Sequence, residues 1–330
     1  GSIGASLVEA GRPVIFVDRD AQHVRAMDER GLRIAGPVTQ THVPVAAALP
    51  SDVADLHPAP FSTVFLCVKA HHTREAVTQL APVLSDDGKV VSIQNGLCEL
   101  EIADVVGRGR TMGAFVNFGA DYLEPGVVHR GNRGAVVVGE LDGQLTPRAR
   151  KIHQLLRLFE PDAVLSDNIF GYLWGKLGYA ALLFATALTD ESIADVLASP
   201  PHRPLLKALA REVVAVGESQ GVRLLGFDGF DPRAFGAGAP DGKAEASLDD
   251  LVDFNRASAK THSGIWRDLA VRKRRTEVDA QLGPVVKLGS DAGLPVALTA
   301  AVIRQIHEIE EGTRERGWEN LTELQEQLPG

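Results

Sequence analysis

Cysteine is almost missing from this chain of 330 residues, which has only Cys67 and Cys98. Two thiols cannot make a disulfide framework, so a reducing, cytoplasmic setting is expected. No CxxC pair and no His/Cys spacing of the zinc-binding kind occurs, so no metal site is expected. Long apolar runs are missing too. The longest, Leu177–Leu188, is too short to span a bilayer and reads as a buried helix, so no membrane partner is expected. No signal-peptide pattern is visible. Positive charge is in deficit, with 34 Lys and Arg against 43 Asp and Glu, a formal net charge of −9. Such a chain repels a phosphate backbone, which argues against a nucleic-acid partner. A small anionic ligand can still meet a locally basic pocket.

Also missing is what normally stands ahead of a nucleotide-binding helix. The chain opens on Gly1-Ser2-Ile3-Gly4 and runs directly into a helical pattern. A strand and one more glycine are expected before Gly1 in the complete protein; the alternative is that Gly1-Ser2 is an expression scar.

What is present fits two ordinary domains, with 45% hydrophobic and 23% charged residues. Short apolar runs at Val14–Val17, Thr63–Val68 and Val90–Ile93 read as strands. Helical patterns near Ala21–Arg30 and His72–Leu84 lie between them. This alternation predicts a parallel sheet with helices on both faces. Gly126–His129 and Ala135–Val138, flanking Gly131 and Gly134, predict a β-hairpin at the sheet edge. The character changes near Asp162. Beyond it the patterns are helical, Ala234–Ala244 reads as a loop, and Ile303–Gln327 reads as an amphipathic helix.

Gly1-Ser2-Ile3-Gly4 matches the second half of a G-x-G-x-x-G fingerprint, in which backbone approaches a pyrophosphate at a helix N-terminus. A small-residue helix start gives the same letters. The context favours the fingerprint: Gly11 ends the helix, Val14–Val17 follows, and Asp18 falls where a carboxylate binds adenosine ribose hydroxyls. Arg19 comes next and suits the 2′-phosphate of NADP instead, so the two residues argue in opposite directions.

Further motifs follow in order. They are Phe65-Leu66-Cys67-Val68-Lys69-Ala70, Ser92-Ile93-Gln94-Asn95-Gly96-Leu97, Glu124-Pro125-Gly126-Val127-Val128-His129 with Gly139-Glu140, Trp174-Gly175-Lys176-Leu177, and Thr276-Glu277-Val278-Asp279. In order and spacing they resemble the ketopantoate reductase (2-dehydropantoate 2-reductase) family over nearly the whole chain. The resemblance implies an α/β N-terminal Rossmann domain over 1–165. An all-α C-terminal domain like that of 6-phosphogluconate dehydrogenase is implied over 166–330, for substrate and dimerisation. It implies a homodimer, an active site in the cleft between domains, and NADPH-dependent reduction of a 2-keto acid, most simply 2-dehydropantoate on the way to pantothenate. NAD stays open because of Asp18.

Adding hydride to a ketone requires a proton at oxygen and a group that stabilises the developing negative charge. The resemblance gives the acid role to Lys176; the plain alternative is a surface lysine. It gives the substrate-holding role to Glu277. Thr276 with Asp279 reads as a capping box, so Glu277 is expected in a first helical turn, where a carboxylate also suits the dipole. Asn95 is a candidate for substrate and cofactor, against an ordinary Asn-Gly turn. Lys69 is a candidate at the cofactor, with Gly1, Ser2, Ile3, Gly4, Asp18 and Arg19. Ser263 is a candidate at the substrate carboxylate. Adjacent His71 and His72 diverge on a helix and are read as surface residues, and Cys98 as a small core residue.

The family usually has asparagines four and eight residues after its lysine; here Ala180 and Phe184 stand there. With Lys176 they share roughly one helix face, so a bulkier or more apolar 2-keto acid is expected to suit it. Two other readings remain: an opine-type or 3-hydroxyacid dehydrogenase, which should lack the Lys176/Glu277 pair, and a non-catalytic dinucleotide sensor.

Overall fold

β-Branched and apolar runs in the first half become strands, and the polar-flanked segments between them become helices. The computed structural model describes residues 1–53, 60–240, 242–257 and 261–328; Asp241, inside the expected loop Ala234–Ala244, lies outside them. The chain forms two units. The first comprises Gly1–Val68, His72–Gln94 and Glu99–Ile169; the second comprises Lys69–His71, Asn95–Cys98 and Phe170–Gly330.

The first unit is α/β. Its strands are β1 (Ile15–Val17), β2 (Leu32–Ala35), β3 (Thr41–Val43), β4 (Ala46–Ala48), β5 (Phe61–Leu66), β6 (Leu84–Ser92), β7 (Thr111–Val116), β8 (Ala120–Glu124), β9 (Val127–Arg130), β10 (Val136–Glu140) and β11 (Val164–Leu165). Five form one sheet in the order β11-β10-β7-β6-β5, four form another in the order β3-β2-β9-β8, and β1 pairs with β4. Neighbours β5, β6 and β7 run parallel, as do β1 and β4.

Helix α1 (Ser2–Glu9) serves two cores. Ile3 and Leu7, four apart and so on one face, pack with Val91, Met112, Val138 and Ile152. Ala5 packs with Met27, Leu32, Ile34 and Val128. Helix α2 (Ala21–Arg30) starts where Asp20 Oδ1 accepts the N–H groups of Gln22 and His23.

The expected hairpin does not form. β9 pairs antiparallel with β8 and parallel with β2, whereas β10 pairs antiparallel with β7 and parallel with β11. The tight turn is made by Pro125-Gly126, between β8 and β9, with Gly126 at φ 83°. The residues after β9 are engaged elsewhere: Gly119 N–H donates to Asn132 Oδ1 at 2.9 Å, and Arg133 reaches Glu160 and Asp162.

The second unit is helical, without a named strand among its described residues. Its long helix Ile169–Thr186 is apolar nearly all round, as a helix buried on every side must be. Within Leu177–Leu188 every residue is buried except half-buried Leu183. The expected tail helix is two helices, Ala297–Glu310 and Trp318–Gln325. Gly312, at φ 74°, follows Glu310 and Glu311 and turns the chain out of the first of them. The N-terminus of the helix Ala297–Glu310 is held by Glu212, whose buried carboxylate accepts from Leu298 N–H at 3.0 Å and from Thr299 N–H and hydroxyl at 2.8 Å each.

A buried ion cluster closes the first unit. Arg130 is sandwiched against the Phe159 ring, its guanidinium carbon 3.9 Å from the ring centre, and reaches Glu160 at 3.5 Å. Arg133 shares Glu160, with Nε 3.1 Å from Oε2. The Arg133 hydrogen bond holds the Glu160 carboxyl below the ordinary range, against the opposing effect of burial. Glu160→Gln leaves Arg130 buried without its counter-charge and is expected to cost about 3 kcal/mol in urea unfolding at pH 7. Because the folded pKa is depressed, this stabilisation is full above the unfolded value of about 4.3 and fades as pH falls through the folded one. The difference between wild type and variant should therefore shrink in acid; a constant difference would contradict the charge argument.

Candidate active site

In the first unit, α1 begins at Gly1 with no side-chain cap and no acidic residue in its first turn. Its first amides are thus left to face an anion. Ser2 Oγ is buried and has no hydrogen-bond partner among the described residues. A Cβ on Gly4 would lie 2.6 Å from the Phe16 ring, so glycine is what lets α1 pack against β1. These features fit a dinucleotide pyrophosphate. Ile3 lies in the core beneath the turn. At the end of β1, Asp18 is half-buried and its Oδ1 accepts the Asp20 N–H at 2.9 Å, while Arg19 is exposed.

The second unit gathers most of the remaining candidates. Glu277 is 9% exposed, and its two oxygens are engaged separately. Oε1 accepts the Ala70 N–H at 2.7 Å, and Oε2 accepts from Lys69 Nζ at 2.9 Å. Lys69 Nζ also lies 3.7 Å from Oδ2 of buried Asp268. Asp268 Oδ1 in turn accepts from Arg272 at 2.9 Å and Arg274 at 3.0 Å. Lys176, half-buried on the helix Ile169–Thr186, donates from Nζ to Asn95 Oδ1 at 2.8 Å. The Asn95 turn comes close to the helix Val278–Asp291. A Cβ on Gly96, at φ 85°, would lie 2.9 Å from the Ala280 carbonyl oxygen. Cys98 is buried and its thiol donates to the Asn95 carbonyl at 3.3 Å.

One expectation changes. Thr276 and Asp279 do not form a capping box. The helix starts at Val278, and Glu277 is its N-cap residue but makes no capping bond. Thr276 Oγ1 instead accepts the Val278 N–H at 3.2 Å and donates to Glu310, while Asp279 meets His307 at 3.0 Å. Glu310 and His307, strong partners from a helix distant in sequence, outcompete the local box. Ser263 is 2% exposed and is the N-cap of the helix Gly264–Ala270, its hydroxyl accepting the Trp266 N–H at 3.1 Å. No hydrogen bond joins it to the Lys176 or Glu277 groups among those described. Nothing in the sequence pairs Lys69 with Glu277, and Asp268 and the Ala70 amide are not among its candidates. The basic run Arg272-Lys273-Arg274-Arg275 is the sequence signal for Asp268, which Arg272 and Arg274 contact.

Ala180 and Phe184, on the Lys176 face, are buried at 6% and 0%. The chemistry in reach is a lysine donor fixed by an amide and a carboxylate fixed by a lysine and a backbone amide.

Comparison with known proteins supplies the context. The family model described as ketopantoate reductase PanE/ApbA matches residues 1–143, and its C-terminal counterpart matches 168–310. A 2-dehydropantoate 2-reductase of Mesorhizobium japonicum is 26% identical, and one of Archaeoglobus fulgidus 28%, each match covering 94% of both chains. Among solved structures, a PanE/ApbA family ketopantoate reductase from Ralstonia eutropha is 26% identical with a TM-score of 0.75, covering 94% of both chains. A D-mandelate dehydrogenase solved with NADH and anilino(oxo)acetate shares the fold at a TM-score of 0.80 and 19% identity, again over 94% of both chains.

Gly4→Ala is expected to destabilise the protein by about 1–3 kcal/mol through overpacking. Adding Phe16→Leu should recover much of that loss in thermal unfolding. A Gly4→Ala variant as stable as wild type would remove the close-packing role.

Proposed function

The chain belongs to the ketopantoate reductase family, and we propose that it reduces a 2-keto acid to the 2-hydroxy acid at the Lys176–Glu277 site. The observation that carries this reading is the pair of fixed groups: Lys176 Nζ on Asn95 Oδ1 at 2.8 Å, and Glu277 on Lys69 Nζ at 2.9 Å. A bound nicotinamide dinucleotide supplies the hydride. Lys176 Nζ donates a proton to the ketone oxygen as the bond to carbon forms, and its charge stabilises the oxyanion until that transfer. Asn95 orients Nζ by accepting one of its three N–H bonds. Glu277 accepts a hydrogen bond from a substrate hydroxyl, and Lys69 offsets its charge next to an anionic substrate. Under this reading residues 1–165 bind the dinucleotide, residues 166–330 bind substrate and dimerise, and the enzyme works in the cytoplasm. Ser263, tied into a helix cap, positions its own loop at the substrate carboxylate.

Two substrate classes follow. The family and its named relatives favour 2-dehydropantoate. The apolar Ala180 and Phe184 favour a bulkier apolar keto acid, and the likeness to a D-mandelate dehydrogenase agrees with that. Oxidation of reduced cofactor with a panel of 2-keto acids ranks them. Lys176→Ala should lower kcat by roughly 10²–10⁴-fold with cofactor affinity unchanged. Glu277→Ala should also raise KM. Turnover of Lys176→Ala near the wild-type rate would end the mechanism.

For the cofactor we infer NADPH, held at Gly1–Gly4 with Asp18 and Arg19 at the ribose end. Asp18 already accepts the Asp20 N–H, while exposed Arg19 suits a 2′-phosphate. Arg19→Ala should weaken NADPH binding about tenfold and NADH binding little, since a charged hydrogen bond is worth about 1.5–3 kcal/mol. A loss confined to NADH in Asp18→Ala would reverse the assignment in favour of NAD.

A further inference from the structure

We propose that Glu310 is a positioning residue for Glu277, acting through Thr276. The proposal rests on the reading of Glu277 as the substrate-holding carboxylate and adds a residue that the sequence motifs do not include. Glu310 closes the helix Ala297–Glu310, whose other end is fixed by Glu212. Its Oε1 accepts twice from one residue: the Thr276 N–H at 2.7 Å and the Thr276 hydroxyl at 2.8 Å. With its proton committed to Glu310, the Thr276 hydroxyl presents a lone pair to the Val278 N–H at 3.2 Å. That amide is one of the donors that the start of the helix Val278–Asp291 leaves without a partner in its own helix.

The consequence falls on Glu277. A carboxylate at the N-cap position is attracted to the first amides and the positive end of its own helix. Here Thr276 already serves that end, and Glu277 makes no capping bond. Its two oxygens turn instead to Ala70 N–H and Lys69 Nζ. Two side chains compete for one helix end, and Glu310 decides the contest by orienting the Thr276 hydroxyl. Without Glu310 that hydroxyl can rotate, the Val278 amide loses its acceptor, and Glu277 is drawn back toward the cap.

Folding should survive the loss. Glu310 lines an open cavity of about 240 Å³ with Arg275, Asp279, His307 and Glu311, so water can reach Thr276 when the carboxylate is removed.

The Ala70 amide reports the Glu277 position directly, because Glu277 Oε1 is its acceptor. Amide hydrogen exchange on the full chain, read at single residues, is measured for wild type, Glu310→Ala, Glu310→Gln, Thr276→Val and Glu277→Ala. Glu310→Ala and Thr276→Val should each speed exchange at Ala70 by roughly tenfold, the scale of one lost hydrogen bond. Glu277→Ala sets the upper limit, and Glu310→Gln, which keeps an accepting oxygen, should restore slow exchange. A purely structural role would instead raise exchange along the helix Ala297–Glu310 and leave Ala70 unchanged, which overturns the proposal. Thr276→Val decides the question if Glu310→Ala does not fold. In the reductase assay, Glu310→Ala should lower kcat/KM about tenfold in the wild-type background and not at all in a Glu277→Ala background. Additive losses count against the coupling. Full turnover by Glu277→Ala would defeat the functional reading alone, since the Ala70 measurement needs no substrate.

Discussion

An ionised carboxylate taken out of water needs donors placed around it, and Glu277 is 9% exposed. Its donors come from Lys69 and Ala70, 208 and 207 positions away. One interaction thus joins two distant stretches of sequence and explains why Lys69–His71 group with the helical unit although they closely follow β5. It also accounts for Asp268. A lysine shared with Glu277 is held more firmly when a second buried carboxylate stands 3.7 Å from its ammonium, and the two arginines on Asp268 keep that carboxylate compensated.

The order of strands and helices in the first half was legible because apolar periodicity reports which residues face a core. Helix α2 starts at Ala21 and ends at Arg30 as its pattern indicated, with Asp20 and Gly31 as its boundaries. Sheet membership was not legible. Val127–Arg130 and Val136–Glu140 carry similar apolar patterns, yet they belong to different sheets. The pattern fixes that each strand buries a face, not which strand it pairs with. The better signal was local: Pro125-Gly126 is a turn sequence, and it places the hairpin one strand earlier.

The candidate site divides along the same line. Motifs within a few residues, such as Trp174-Gly175-Lys176-Leu177, could be read directly. Contacts between motifs could not, because nothing in a single sequence states that Lys69 faces Glu277 or that Glu310 faces Thr276. The capping-box expectation failed for this reason. A box is judged from four consecutive residues, but here a carboxylate from another helix takes both the Thr276 N–H and its hydroxyl proton, and Asp279 meets His307 instead.

The helix Ile169–Thr186 shows how one element meets two demands. It must be apolar nearly all round because other segments cover it, with Trp174 packed against Gly217 and Gly178 against Phe230. It must also present Lys176, a cation whose stem can lie along apolar surface while its ammonium reaches a polar partner. Asn95 provides that partner at 2.8 Å. On the same face, Ala180 and Phe184 add no polar atom beyond the backbone, so of these three residues the lysine alone carries a charge. The helix therefore fixes the position of the Lys176 ammonium, the only charged group among its own residues.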